Sequence, residues 1–200
     1  EIDEETGNKK GMGKSYGNIG GVYKDQGNNE KGLEYYEKGF IIYEEIGDKR
    51  GMGTSCNNLG MIYDDQGNYE KALEYYSKNL EIFKELGDTR GMSYSYNNIG
   101  VIYYRQGDFK KALDYYSKSL VKQKELSDKK GMADSYNNIG VVYKEQGNYQ
   151  KALDYLLKSK NIKQEINTIE DLDETSAALS QVYKKLEKYK QSLEMHELYM

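Results

Sequence analysis

The chain has 200 residues and a net charge of −4, with 22 tyrosines, one cysteine and no proline. This slightly acidic balance argues against nucleic-acid binding, which needs a clustered basic face. The single Cys56 excludes a disulfide within the chain. No apolar run approaches the roughly 18 residues of a membrane-spanning helix, and no signal peptide is recognisable.

A forty-residue period organises the chain, and each period is predicted to form two helices, A and B. The turn sequence Gln-Gly-Asn or Gln-Gly-Asp recurs at 26–28, 66–68, 106–108 and 146–148. Gly67 suits a helix end because glycine adopts the left-handed conformation at little cost, and Asn68 suits the cap of the next helix. In this unit helix A is therefore expected at about 49–66 and helix B at about 69–86.

The predicted repeats occupy residues 9–48, 49–88, 89–128, 129–168 and 169–200 of what is expected to be a single domain. Residues 1–12 align with residues 41–52, so residues 1–8 are interpreted as the tail of a preceding helix B, with a short helical remnant at 1–6. The fifth repeat is degenerate and stops partway through its helix B. That is typical of a terminal repeat, or of a piece cut from a longer array.

Columns of identical residues show which helix faces meet. Glycines stand at one position of the first four helices A, where a helical wheel directs them toward the repeat's own helix B. This glycine column consists of Gly20, Gly60, Gly100 and Gly140. Cys56 occupies a tyrosine position of the same face and is interpreted as a core residue. On helix B, the column of Tyr35, Tyr75, Tyr115 and Tyr155 is interpreted as an inter-repeat contact rather than as a binding ridge.

These residues resemble the signature of the tetratricopeptide repeat, which is carried here by Tyr96, Ile99, Gly100, Tyr103, Ala112 and Tyr116. The forty-residue form is similar to the repeats of kinesin light chains, spindle-orientation adaptors and bacterial signalling proteins. The resemblance implies an all-α, right-handed superhelix of antiparallel helix pairs, with helix A lining a concave groove. It also implies peptide or protein binding, with no catalysis and no cofactor.

An asparagine pair in the middle of each helix A is the main candidate for function. With about 100° per residue, Asn98 points away from helix B and Asn97 lies on its flank. An amide offers two donors and an acceptor, so it can grip a peptide backbone; alternatively, one asparagine of each pair braces adjacent helices. The predicted peptide-binding residues are Asn18, Asn58, Asn98, Asn138, Asn57, Asn97, Asn137, Tyr94, Met61, Val101, Tyr104 and Arg105.

Two functions are compatible with these features. The first is a scaffold that binds a protein or peptide in its concave groove. The second is a sensor or dimerisation region of a bacterial signalling protein, whose kinase, cyclase or regulator domain lies outside the chain. The compartment is accordingly open between cytoplasm and, for a sensor, periplasm. We also expect self-association through apolar residues of the incomplete fifth repeat, which are Leu179, Val182, Leu186 and Leu193.

Motifs for other activities are weak. The stretch GMGKS at 11–15 resembles the end of a phosphate-binding loop, but Asn8 replaces the required glycine and no strand precedes it. His196 is the only histidine and is interpreted as a core residue. We therefore predict no enzyme, no metal site, no cofactor, and no contact of this segment with nucleic acid or membrane.

Overall fold

The computed structural model describes the backbone of residues 2–167, 172–187 and 191, and the side chains of residues 8–167, 174–187 and 191. Within these ranges the secondary structure is entirely helical, as the repeats predicted, and contains no strand. The helices are α1 (Ile2–Asp25), α2 (Asn29–Glu45), α3 (Lys49–Asp65), α4 (Tyr69–Glu85), α5 (Thr89–Arg105), α6 (Phe109–Glu125), α7 (Lys129–Glu145), α8 (Tyr149–Glu165) and α9 (Leu172–Lys185).

The chain divides into two compact units, residues 1–102 and 103–200, with the division inside α5. In the first unit α1 packs against α2, α2 against α3, and α3 against α4. In the second unit α6 packs against α7, α7 against α8, and α8 against α9. Helices that follow one another therefore pack as antiparallel neighbours, which is the organisation of an all-α repeat solenoid.

The turns between helices form as the sequence predicted. Gly67 has a φ of 71°, which glycine adopts without steric cost. The side chain of Asn68 then accepts a hydrogen bond from the backbone N–H of Lys71 at 3.2 Å and caps α4. Ser127 occupies the corresponding turn position after α6 with a φ of 53°, a conformation that is unfavourable for a residue with a Cβ.

The glycine column does allow close approach of helices A and B. A Cβ placed on Gly60 would lie 2.7 Å from the Tyr76 ring, and one on Gly20 would lie 2.8 Å from the Tyr36 ring. Tyr76 and Tyr36 are buried, with 3% and 5% of their surface exposed. Cys56 is fully buried, which confirms its interpretation as a core residue, and burial raises the pKa of its thiol to about 11.

A second set of glycines accommodates aromatic rings at the junction between one repeat and the next. The ring of Tyr43 packs on Gly51, and the ring of Phe83 packs on Gly91. Any side chain at either glycine would overlap the ring. An aromatic residue late in helix B thus requires a glycine early in the following helix A.

The tyrosine column of helix B stacks mainly within its own repeat. The rings of Tyr63 and Tyr75 have centroids 5.5 Å apart, and the Nζ of Lys71 lies 4.9 Å from the Tyr63 centroid. Tyr75 also packs on a cluster formed by Leu59 and Ile62 of its own repeat and Tyr36 of the preceding one, and a direct inter-repeat contact of the tyrosine column stays a prediction. The other stacked pairs are Tyr23–Tyr35, Tyr103–Tyr115 and Tyr143–Tyr155.

The helix B remnant predicted at 1–6 is not a separate helix, because α1 continues without interruption from Ile2 to Asp25. Residues 2–6 contain a single apolar side chain. Folding them back would bury little apolar surface while losing helical hydrogen bonds. Leu179 and Val182, which were predicted to leave apolar surface uncovered, are instead fully buried in a cluster with Leu153 and Leu156, because α8 packs against α9. The predictions for Leu193, His196 and the fifth helix B other than residue 191 fall outside the described residues.

Candidate functional site

Four of the predicted binding residues line one cavity of about 350 Å³ in the first unit. Asn57 and Met61 come from α3, and Tyr94 and Asn98 come from α5. Each pair is separated by four residues, which places both side chains on the same face of their helix. The remaining lining residues are Thr54, Asn79, Phe83 and Gly91.

The two amides at this cavity are hydrogen-bonded to each other across consecutive repeats. Nδ2 of Asn98 donates to Oδ1 of Asn57 at 2.8 Å, and Nδ2 of Asn57 donates to the sulfur of Met61 at 3.5 Å. The alternative in which an asparagine braces adjacent helices therefore applies to Asn57 and Asn98. The amide–amide bond uses one N–H of Asn98 and part of the acceptor capacity of Asn57, so further donor and acceptor capacity remains at the cavity.

A buried polar contact fixes the wall of the cavity. Asn79 is 2% exposed, and its Nδ2 donates to the carbonyl oxygen of Gly53 at 2.6 Å. The hydroxyl of Ser95 donates to Oδ1 of Asn79 or to the carbonyl oxygen of Gly91. Asn79 was not predicted from the sequence. The sequence signal that could have found it is an amide at this position of helix B, where the first, third and fourth repeats have the small residues Gly39, Ser119 and Ser159.

Two apolar side chains are exposed at the cavity. Tyr94 is 56% exposed and Met61 is 38% exposed. Burial of either side chain would stabilise the fold, yet both are accessible to solvent at the cavity. Phe83 is half-buried and packs on Gly53. A Cβ placed on Gly53 would lie 3.1 Å from the Phe83 ring. The site thus combines amide donors and acceptors with accessible apolar surface, and its lining contains no charged side chain.

Other predicted residues lie elsewhere on the helices. Asn18 is exposed on α1, whereas Asn58, Asn97 and Val101 are half-buried in the first unit. In the second unit Asn138 is half-buried and Arg105 is exposed. The ring of Tyr104 is tilted by 40° against that of Phe109 with centroids 6.0 Å apart, and burial raises the pKa of Tyr104. A continuous line from Asn18 to Asn138 stays a prediction.

Asn137 does not meet the expectation of a groove residue, because it is only 3% exposed. Its Oδ1 accepts a hydrogen bond from the hydroxyl of Thr175 at 3.0 Å. That hydroxyl in turn accepts from Nζ of Lys163 at 3.1 Å, and Lys163 is 5% exposed. Lys163 occupies the helix B column of Phe83, so a polar network here replaces the ring packing of the first unit and encloses Asn137.

Features of other site classes are not found in the part of the chain that the structure describes. No group of three or more histidine, cysteine, aspartate or glutamate side chains in that part could hold a metal ion. None of its helices combines the length and apolar character needed to cross a membrane.

Comparison with protein families gives matches over most of the chain. One tetratricopeptide repeat family model matches residues 11–85, 54–120 and 131–200, and a second tetratricopeptide repeat model matches residues 97–164. No curated protein sequence matches the chain.

Solved structures share the fold at low sequence identity. BtubC (BKLC) from P. vanneervenii has a TM-score of 0.85 and 22% identity, over 94% of this chain and 78% of that one. A putative kinesin light chain with nearly identical TPR-like repeats from Podosopora anserina has a TM-score of 0.73 and 15% identity, over 93% and 92%. The Rap conjugation gene regulator of plasmid pLS20, in complex with the Phr* peptide, has a TM-score of 0.75 and 18% identity, over 92% and 51%.

Proposed function

Because the chain belongs to the tetratricopeptide repeat family, we propose that it is a non-catalytic interaction scaffold that binds an extended peptide segment of a protein partner. The segment lies over the cavity between α3 and α5. The observation that carries this proposal is the cluster of Asn57, Asn98, Met61 and Tyr94 around one cavity. The peptide-bound Rap regulator, which has the same fold, supports a peptide as the ligand class.

Each side chain has a distinct role in this proposal. The amides of Asn57 and Asn98 pair with backbone N–H and C=O groups of the segment, because an extended backbone presents both and an amide matches both. The hydrogen bond between the amides, at 2.8 Å, fixes their orientation before the segment arrives, which lowers the entropic cost of binding. Met61 and Tyr94 cover an apolar side chain of the segment.

The test is a selection of peptides from a random dodecapeptide display library on the full chain, followed by titration of an enriched peptide. We expect the double variant Asn57→Ala, Asn98→Ala to bind about ten- to hundredfold more weakly, from about 0.5–1.5 kcal/mol per lost hydrogen bond. Thermal stability should change little, since the lost amide–amide bond is offset by the better helix propensity of alanine.

Asn161→Ala provides the matched control, because Asn161 is an exposed mid-helix asparagine on α8. It should leave peptide affinity unchanged. If no peptide is enriched, or if the double variant binds an enriched peptide as tightly as the parent chain, the proposed site is wrong. If the double variant melts several degrees lower and keeps its affinity, the two amides serve only as a brace between repeats.

A further inference from the structure

A second cavity, of about 250 Å³, lies one repeat before the first. Residues of α1, the end of α2 and the start of α3 form its walls. It occupies the same place in the repeat, since Tyr43 and Gly51 here correspond to Phe83 and Gly91 there. Its lining residues are Lys10, Gly11, Lys14, Tyr43, Asp48, Arg50, Gly51 and Thr54.

The two cavities differ in charge. Lys10, Lys14 and Arg50 line the second cavity together with a single carboxylate, that of Asp48, so the lining has an excess of two positive charges. The lining of the cavity at Asn57 and Asn98 carries no charge. Two equivalent places in consecutive repeats thus offer different chemistry to one ligand.

The one carboxylate of the second cavity is already engaged. Asp48 is 15% exposed, and its Oδ2 lies 2.7 Å from Nζ of Lys10 while its Oδ1 accepts from the backbone N–H of Gly51 at 3.0 Å. Burial tends to raise the pKa of Asp48, but the hydrogen bonds from Lys10 and Gly51 outweigh it and hold the pKa below its usual value. Asp48 is therefore charged at neutral pH and cannot neutralise Lys14 or Arg50 as well.

The two remaining cations are accessible. Lys14 is exposed on α1. Arg50 is 72% exposed, and its guanidinium lies 2.8 Å from Asp88 at the cap of the next helix A, an arrangement that leaves other guanidinium N–H groups for a second acceptor. Tyr43 adds a phenol hydroxyl at the same place. An anion entering this cavity would meet charged donors without having to displace the carboxylate of Asp48.

The cavities adjoin, because Thr54 lines both of them. Helices packed in neighbouring positions lie about 8–10 Å apart, and an extended chain advances about 3.3 Å per residue. A segment that crosses from α3 to α1 therefore reaches the second cavity within about two to four residues of the first.

We infer that the second cavity binds the side-chain carboxylate of an aspartate or glutamate in the partner segment, two to four residues from the apolar residue held by Met61 and Tyr94. This inference rests on the proposed function and specifies its ligand: an extended segment in which an acidic residue and an apolar residue are close together. The two charge-distinct cavities give the scaffold sequence selectivity that backbone contacts with Asn57 and Asn98 do not supply.

The experiment extends the dodecapeptide selection. We expect the enriched peptides to share an acidic residue two to four positions from an aliphatic or aromatic one. Replacing that glutamate by glutamine should weaken binding to the parent chain about fivefold, the scale of a solvent-accessible ion pair. The triple variant Lys10→Gln, Lys14→Gln, Arg50→Gln leaves the carboxylate of Asp48 as the only charge of the lining, so it should bind the glutamate peptide no more tightly than the glutamine peptide.

A matched control removes three positive charges outside both cavities. The variant Lys9→Gln, Lys38→Gln, Lys49→Gln breaks surface ion pairs to Glu45, Glu34 and Glu85 and should keep the preference for glutamate. Lys14→Gln alone separates binding from folding, because Lys14 takes part in neither the Lys10–Asp48 nor the Arg50–Asp88 pair. It should reduce the preference at an unchanged melting temperature.

The outcomes distinguish this inference from the proposed function. Peptides that depend on Asn57 and Asn98 but show no acidic preference would overturn the inference and leave the scaffold proposal intact. The inference is equally wrong if the triple variant keeps the glutamate preference. If amidation of the peptide's C-terminus abolishes binding and the glutamine substitution does not, the cavity binds a terminal carboxylate and the side-chain assignment is wrong. A selection that enriches no peptide overturns both.

Discussion

The glycine column offers a stability experiment in which two identical substitutions have opposite effects. Gly60→Ala places a methyl group 2.7 Å from Cε1 and 2.8 Å from Cδ1 of Tyr76, whereas ordinary carbon contacts are about 3.5–4.0 Å. Tyr76 is 3% exposed, so its ring cannot move aside into solvent. Overpacking of this kind costs about 1–3 kcal/mol. The better helix propensity of alanine returns about 1 kcal/mol, so the net loss is at most about 2 kcal/mol.

Gly17→Ala makes the same chemical change in α1, where a Cβ would meet nothing within 4 Å. Only the propensity gain applies there, so this variant should be more stable by about 0.5–1 kcal/mol. Urea unfolding followed by circular dichroism measures both. A Gly60→Ala protein that gains stability as Gly17→Ala does would show that Gly60 and Tyr76 are not in close contact.

Three further expectations concern other parts of the fold. Ser127→Gly should raise stability by about 0.5–1 kcal/mol, because Ser127 has a φ of 53°, whereas Ser117→Gly in the middle of α6 should lower it; urea midpoints that fall for both would contradict the strain at Ser127. The depressed pKa of Asp48 contributes stability above its unfolded value of about 4, and this is lost as the pH falls through the folded-state pKa. Asp48→Asn should therefore reduce the loss of unfolding free energy that is measured between pH 7 and pH 3. A loss equal to that of the parent chain would count against the ion pair of Asp48 with Lys10. Cys56, with a pKa of about 11, should resist a thiol reagent at pH 8 until urea unfolds the chain; rapid labelling of the native protein would show that the thiol is accessible.

The local elements could be predicted because their causes are local. Gly67 and Asn68 determine where one helix ends and the next begins, and the observed bounds differ from the predicted ones by one residue. Helical geometry also gives the direction of each side chain: Asn98 was placed pointing away from helix B and the column of Asn57 on its flank, and these two asparagines line one cavity. Neither inference needs the position of a second helix.

The features that were missed depend on how two helices are placed relative to each other. A brace between adjacent helices was predicted only as an alternative without named partners, because the 2.8 Å bond between Asn98 and Asn57 requires a particular offset of α3 and α5, which a single helical wheel does not contain. Burial of Asn137 follows from Lys163 and Thr175, whose columns hold Phe83 and Ser95 in the first unit. A repeat pattern averages over such substitutions, so equivalent asparagines in the sequence are not equivalent in the structure.

The aromatic rings that pack on glycine at the repeat junctions constrain how this array can change in length during evolution. We call these contacts aromatic joints, because in each an aromatic ring packs on a glycine that has no side chain. They are formed by Tyr43 with Gly51 and by Phe83 with Gly91. A recombination that removes residues 49–88 would bring Tyr43 to Gly91, and the joint would form again without any compensating substitution. At the junction after α6, Gln123 replaces the aromatic residue. A Cβ placed on Gly131 would lie 3.0 Å from Nε2 of Gln123. Repeats can therefore be gained or lost at the two aromatic joints without overlap, and a deletion of residues 89–128, which brings Phe83 to Gly131, also places a ring on a glycine.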